Sequence, residues 1–187
     1  IINGESVSGV TTMQMDEGLD TGDMLEKVEV PLGEKITGGE LHDLIAEAGA
    51  KLCVQTLEKL EKGELKPEKQ GETPTDYERM LDKKLVNIDW TRPAIEIERL
   101  IRGLNPWPSA YTTWNEKTMK IWAADVVDAQ ETAEPGTITE VTKQTFSVQT
   151  GDGVLQIKEL QIPGKKKMFS DAFLRGYQVK TGEKLGC

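Results

Sequence analysis

Residues 10–32, VTTMQMDEGLDTGDMLEKVEVPL, determine the local structure of the N-terminal part. The first six of these residues are typical of a strand, residues 16–23 have a loop composition, and residues 24–32 predict a second strand. A long helix is predicted next, because leucines recur at helical spacing between the capping sequence TGGE (37–40) and Gly63. Strand, loop, strand and long helix form the closing portion of an α/β layer, not a whole domain.

Composition is that of an ordinary globular protein. The 187 residues are 29% charged and 37% hydrophobic, with 32 acidic and 23 basic side chains, which excludes collagen-like, low-complexity and disulfide-scaffold classes. No apolar run approaches the roughly 20 residues that a membrane helix needs. A secretory signal is not predicted, because the sequence has no basic segment followed by an apolar stretch. We therefore predict a cytoplasmic protein with reduced thiols and no membrane partner.

Charge and aromatic side chains are distributed unevenly along the chain. Residues 1–64 contain 14 acids and 5 bases, whereas residues 65–187 contain 18 of each. The first 76 residues contain no Phe, Trp or Tyr, the side chains that supply much of a core's buried area. The sequence also starts at Ile1 without a methionine. We therefore expect the N-terminal part to be a piece of a larger domain.

The second half reads as a separate β domain. Residues 64–76 have a linker composition, and a short helix is predicted to start at Pro93 and to stop before Gly103. Five β segments follow at 110–114, 119–127, 136–141, 145–150 and 154–162, and then a short helix at 170–175 that Ser170 would cap. So many short strands in succession predict a small closed barrel of the oligonucleotide-binding (OB) type.

The loop at residues 16–23 is the first candidate site, because it holds the four carboxylates of Asp16, Glu17, Asp20 and Asp23. A calcium loop that started at Asp16 would need glycine and glutamate where the sequence has Thr21 and Lys27, so no metal site is predicted. A simple turn built from Asp and Gly is the alternative. The location favours a ligand site, because α/β folds bind ligands at loops that leave sheet strands.

The C-terminal stretch is the second candidate site, because residues 141–187 contain eight bases and four acids. Lys165, Lys166 and Lys167 follow Pro163-Gly164 on a predicted turn, where ammonium groups can reach a phosphate backbone. A solvated charged turn is the alternative. The only histidine, His42, is predicted to be a solvated helix residue, and the four tryptophans are predicted to be core rather than a base-stacking platform.

Several strings along the whole chain resemble the methionyl-tRNA formyltransferases. The N-terminal match is GVTTMQMDEGLDTGDML at residues 9–25. The second half agrees independently, in the same order, through IDW (88–90), RGLNPWP (102–108), GTI (136–138), TGDG (150–153) and LQIPGKK (160–166). The combination is much more specific than any one string.

This resemblance implies an architecture and a reaction. Residues 1–64 would be the C-terminal remnant of a Rossmann-like formyltransferase domain, 65–86 a linker, and 87–187 an OB-like tRNA-binding domain, so the fold class is α/β plus β. The reaction would transfer a formyl group from 10-formyltetrahydrofolate to the amino group of methionyl initiator tRNA, in a monomer and without a metal. Phosphate contacts would come from Lys143, Lys165, Lys166 and Lys167.

The resemblance also implies site residues. The family's catalytic aspartate falls on Asp20, and the backbone of Asp16, Glu17, Gly18 and Leu19 would lie against the pterin ring of the folate. The family's catalytic Asn and His stand upstream of this sequence, and His42 matches no part of their motif. We therefore expect these 187 residues alone to be inactive.

Two other functions remain as alternatives. One is a stand-alone tRNA or nucleic-acid binding module without catalysis, in which the N-terminal piece only docks. The other is a sibling enzyme that formylates a sugar nucleotide or hydrolyses formyl-folate. The strings NPWP (105–108) and GKK (164–166) disfavour the sibling enzyme.

Overall fold

The structure is a computed structural model that describes residues 1–71, 81, 85–129 and 133–186. It divides into two units, one of residues 5–36 and 40–80 and the other of residues 1–4, 37–39 and 81–187. Much of the predicted linker, at residues 72–80 and 82–84, lies outside the described residues. The domain limits 1–64, 65–86 and 87–187 therefore stay a prediction.

The first unit contains an antiparallel hairpin of β1 (Val7–Met13) and β2 (Met24–Pro31). Both predicted strands are present, with β1 beginning and ending earlier than expected. The backbone N–H and carbonyl of Met24 pair with Glu68 at 2.8 and 2.9 Å, and Lys27 pairs with the Glu68 carboxylate at 3.0 Å. Part of the predicted linker thus satisfies the open edge of β2, which would otherwise leave backbone groups unpaired.

The predicted long helix is α1 (Gly38–Lys62). It packs on the hairpin through buried Leu52 and through Thr56, whose hydroxyl lies 2.9 Å from the Thr12 hydroxyl. Gly49 of the helix faces Val10 of β1, and a Cβ at Gly49 would make ordinary van der Waals contact with the Val10 side chain at 3.5 Å. The helix also exposes large apolar side chains, namely Leu44, Val54, Leu57 and Leu60.

The second unit is built on one antiparallel sheet. Its strands are β3 (Tyr111–Trp114), β4 (Lys117–Val127), β5 (Ile138–Val141), β6 (Phe146–Gln149), β7 (Val154–Gln161) and β8 (Met168–Phe169). The order is β3-β4-β7-β6-β5, with β8 beside β7. All five predicted strands are present, and register shifts in β4 and β5 mark bulges that curl the sheet. Closure into a barrel stays a prediction.

Two helices accompany this sheet, α2 (Ala94–Gly103) and α3 (Ser170–Gly176). The core centres on Phe173, whose fully buried ring lies 5.3 Å from Trp114 and 6.4 Å from Phe146. The predicted capping role of Ser170 is wrong. Its buried hydroxyl donates instead to the carbonyl of Ile157 in β7 at 2.7 Å, because a buried hydroxyl needs a partner and that carbonyl supplies one. Within the described ranges, no helix combines the length and apolar character needed to cross a membrane.

Candidate functional site

The loop between β1 and β2 is held in shape by its own residues. One oxygen of the Asp16 carboxylate accepts hydrogen bonds from the Gly18 amide at 3.0 Å and from the Thr21 hydroxyl at 2.6 Å. A Cβ on Gly18 would clash with the Thr21 hydroxyl, and a Cβ on Gly22 would clash with the carbonyl of Gln14. The spacing of Asp, Gly, Thr and Gly is therefore fixed by the path of the backbone.

Asp20 lies at the tip of this loop. Its φ is +54°, in the left-handed region that aspartate tolerates better than most residues. Its backbone carbonyl accepts a hydrogen bond from the Gln70 side-chain amide at 2.8 Å, and the same amide nitrogen donates to the Gly22 carbonyl at 2.7 Å. Asp20 is exposed, and no group in the described part of the chain donates a hydrogen bond to its carboxylate. The backbone of Asp20 is thus held in place by Gln70, while its carboxylate can interact with a ligand.

Gln70 is a site residue that the sequence did not predict. It belongs to the stretch with a linker composition, where no periodicity marked it. The structure instead brings it against a loop that lies 50 residues earlier in the chain. No local signal in the sequence could have identified this contact.

Apolar side chains accompany the carboxylates of the loop. Leu19 is 70% exposed and Met15 is 80% exposed, beside exposed Asp16 and Glu17. The loop therefore presents both apolar side chains and hydrogen-bond acceptors to solvent. As predicted, His42 is a solvated helix residue, with a side chain 80% exposed and an Asp43 partner at 3.2 Å.

The structure places the predicted nucleic-acid-binding lysines on two turns. Lys143 is exposed on the β5–β6 turn, and Lys165 and Lys166 are exposed on the β7–β8 turn. Phe146 at the start of β6 lies opposite Ile157 of β7, so both turns leave the same end of the sheet. No carboxylate of the described residues pairs with these three ammonium groups.

Lys167 differs from its neighbours because it is engaged within the protein. Its ammonium pairs with Glu159 at 2.6 Å and lies 5.6 Å from the ring centroid of Trp122. Lys120 lies at the same distance from that ring, and the Trp122 residue sits at a register shift of β4. The Trp122 Nε1 is buried and finds no acceptor in the described part of the chain.

The sequence missed this cluster of Lys120, Trp122 and Lys167. The signal for part of it was the alternation KIW at residues 120–122, which places Lys120 and Trp122 on one strand face. The prediction that all tryptophans are core is confirmed for Trp90 and Trp114, which are 5% and 8% exposed. It is wrong for Trp107, which is 74% exposed.

Comparison with known proteins gives matches along both halves of the chain. The family model described as "Formyl transferase" matches residues 1–57, and "Formyl transferase, C-terminal domain" matches residues 80–178. The methionyl-tRNA formyltransferase of Agathobacter rectalis is 50% identical over 182 residues, which are 97% of this chain and 59% of the relative. The namesake from Clostridioides difficile is 48% identical over 186 residues, 100% of this chain and 60% of the relative.

The chain therefore spans about three fifths of the length of these curated relatives. Among solved structures, WlaRD, a sugar 3N-formyl transferase crystallised in the presence of dTDP and 5-N-formyl-THF, superposes with a TM-score of 0.63. That match is 22% identical and covers 88% of this chain and 58% of the other. At this identity the likeness shows the fold alone.

Proposed function

Because the chain belongs to the formyl transferase family, we propose that it forms part of an enzyme that transfers the formyl group of 10-formyltetrahydrofolate to the amino group of methionyl initiator tRNA. This one-carbon transfer would serve translation initiation in the cytoplasm. The observation that carries the proposal is the loop of residues 16–23, which presents an available Asp20 carboxylate on a backbone fixed by Gln70. The loop lies within the segment that matches the family model.

Asp20 is the group we assign to proton transfer. In the reaction the amine nitrogen bonds to the formyl carbon, the bond from that carbon to N10 of the folate breaks, and one proton moves from the amine to N10. An exposed carboxylate without a hydrogen-bond donor among the described residues can accept the amine proton and pass it on. The hydrogen bond from Gln70 to the Asp20 carbonyl would hold the residue in position for this task.

The folate site is assigned to Asp16, Glu17, Gly18 and Leu19. The exposed apolar surface of Leu19 suits the face of a pterin ring, and neighbouring carbonyl and carboxylate oxygens suit its N–H groups. Because Gly18 has no side chain, its backbone is accessible to a ligand. A side chain at this position would also clash with Thr21. These features of the chain support the assignment.

We assign tRNA binding to residues 87–187, which would form an OB-like domain of a monomeric enzyme. Support comes from the exposed Lys143, Lys165 and Lys166, on turns that leave the same end of the sheet. Lys167 would contribute through its place beside Trp122. Residues 1–64 would close the catalytic domain, and residues 65–86 would connect the two.

A hybrid enzyme tests the proposal. These 187 residues would replace the matching 186-residue segment of the Clostridioides difficile relative. With 10-formyltetrahydrofolate, we expect the hybrid to formylate methionyl initiator tRNA, whereas the 187 residues alone give no turnover above a no-protein control. An inactive hybrid alongside tRNA binding by the 187 residues would instead support a binding module. If the hybrid turned over only with an amino-sugar nucleotide, the acceptor would be a sugar nucleotide and not tRNA.

A further inference from the structure

A cleft opens beside the β5–β6 turn of the second unit, against α3 and the residues that follow it. It encloses about 650 Å³ and is open to solvent on one side. That volume lies within the roughly 300–1,000 Å³ of small-molecule sites. Its lining includes Lys143 but none of the residues of the acidic loop.

The charged side chains that line the cleft are all basic: Lys143, Arg175 and Lys180. Arg175 donates to Asp171 at 2.8 Å, and this hydrogen bond lowers the pKa of the Asp171 carboxyl, so the charge of Arg175 faces an ionised carboxylate at neutral pH. Lys143 and Lys180 are exposed and make no ion pair with the described residues. The rim therefore carries two available positive charges, which suit an anionic ligand.

Besides polar Thr142 and Gln178, the rest of the cleft is apolar and aromatic. Val141, Leu174 and Val179 are half-buried against the core and line it. Tyr177 also lines it, and its ring stacks on buried Phe173 with centroids 4.8 Å apart. The Tyr177 ring also lies nearly perpendicular to that of Trp114, with centroids 6.2 Å apart, so two aromatic neighbours orient it and it offers a stacking surface at a low entropy cost. An apolar floor with a basic rim matches a ligand that has both a flat ring and a phosphate.

We propose that this cleft binds one unpaired nucleotide of a structured RNA, with the base against Tyr177 and the adjoining phosphates on Lys143 and Lys180. An unpaired nucleotide is required, because bases inside an RNA helix cannot splay into a protein cleft. The open side suits a continuous chain better than a free nucleotide, since pockets for small ligands bury most of the ligand.

The position of Lys143 also favours an RNA chain. The β5–β6 turn that carries it leaves the same end of the sheet as the turn with Lys165 and Lys166. A phosphate backbone can therefore pass from one turn to the other. The inference rests on the proposed function, because initiator tRNA is the RNA it concerns, and it adds a contact that reads an unpaired base.

The test measures binding of fluorescent methionyl initiator tRNA to the full 187-residue chain. Combined Lys143→Ala and Lys180→Ala should weaken binding at least tenfold. Combined Lys62→Ala and Lys117→Ala removes two exposed lysines elsewhere and should change binding less than twofold.

A second set of variants tests the aromatic contact. Tyr177→Leu removes the stacking ring, and Tyr177→Phe keeps it. We expect at least a fivefold loss for leucine and less than a twofold loss for phenylalanine. A thermal scan of each variant reports whether the stack on Phe173 was needed for folding. If the leucine variant unfolds, photo-crosslinking of 4-thiouridine tRNA to the unmodified chain decides, and we expect crosslinks within residues 174–180.

Other outcomes separate this inference from the proposed function. No tRNA binding by the unmodified chain would overturn the inference, and an inactive hybrid in addition would overturn the proposed function. Normal binding that the lysine variants leave unchanged would overturn the inference and would also remove Lys143 from the tRNA contact, while Lys165 and Lys166 would still support the proposed function. If tRNA affinity falls in the lysine variant but not in a folded Tyr177→Leu variant, the cleft contacts only phosphates and the proposed base contact is overturned. Crosslinks found only outside residues 174–180 would overturn it as well. Competition by micromolar uridine monophosphate would indicate a free-nucleotide site instead.

Discussion

The Gln70 side chain holds the loop of residues 16–23 through two hydrogen bonds, and Gln70→Glu tests how far the loop depends on them. Glutamate has nearly the same shape, but an ionised carboxylate cannot donate to the carbonyls of Asp20 and Gly22. A typical hydrogen bond contributes about 0.5–1.5 kcal/mol net. Because Gln70 is exposed, the lower half of that range applies, and losing both bonds should cost about 1–2 kcal/mol in opening the loop.

Amide hydrogen exchange measures this opening directly. The Gln14 amide donates to the Asp23 carbonyl at 2.8 Å and so closes the base of the loop. A loss of about 1–2 kcal/mol corresponds to roughly 5- to 30-fold faster exchange at Gln14. Amides of β6 and β7 should be unaffected, because the perturbation is local. Gln55→Ala, at an exposed glutamine on α1, is the control.

Unchanged exchange at Gln14 in Gln70→Glu would show that the loop keeps its shape without the hydrogen bonds of the Gln70 side chain. Equal acceleration in Gln55→Ala would show that the effect does not come from those hydrogen bonds. Faster exchange throughout β6 and β7 would show a global effect rather than release of the loop.

Two further predictions concern acid stability and RNA binding. The Thr91 hydroxyl, 2.6 Å from Asp89, is the main cause of a pKa of Asp89 below the ordinary 3.8. Stabilisation is thus complete above pH 3.8 and lost as pH falls through the folded pKa, so urea unfolding should show Thr91→Ala and the unmodified chain converging in strong acid. Replacing Lys165–Lys167 by alanine should weaken tRNA binding and lower its salt slope by about 2, since two of these lysines are unpaired among the described residues and each phosphate contact contributes about 0.9.

Each of these predictions has a contradicting result. A stability difference between Thr91→Ala and the unmodified chain that widens in acid would mean that the hydroxyl favours the protonated Asp89. An unchanged tRNA affinity and salt slope in the triple alanine variant would remove Lys165–Lys167 from the RNA contact.

Much of the secondary structure could be predicted because its causes are local. Hydrophobic spacing and the flanking glycines and prolines predicted α1, α2 and the five strands β3 to β7. The failures involve contacts between distant residues. Ser170 follows the capping pattern, yet its hydroxyl bonds to Ile157, thirteen residues earlier. The two-residue strand β8 forms only because β7 offers an edge.

The candidate site likewise has features that the local sequence predicts and features that depend on contacts between distant residues. The acids and glycines of residues 16–23 identified the loop, because Asp and Gly determine its turns locally. Its support by Gln70 could not be predicted, since that contact depends on the fold bringing a polar stretch back to the hairpin. The engagement of Lys167 by Glu159 and Trp122 likewise depends on the pairing of distant strands.

Whether the Asp20 carboxylate moves the proton in formyl transfer is tested by the rate of the hybrid enzyme that carries Asp20→Asn. Asparagine keeps the shape but cannot accept the proton, so the transfer rate should fall about 100- to 10,000-fold. Binding of tRNA should be unchanged. Asp23→Asn, in the same loop, should keep the rate within about threefold of the unmodified hybrid. An Asp20→Asn hybrid that transfers formyl groups at the unmodified rate would show that Asp20 does not move the proton.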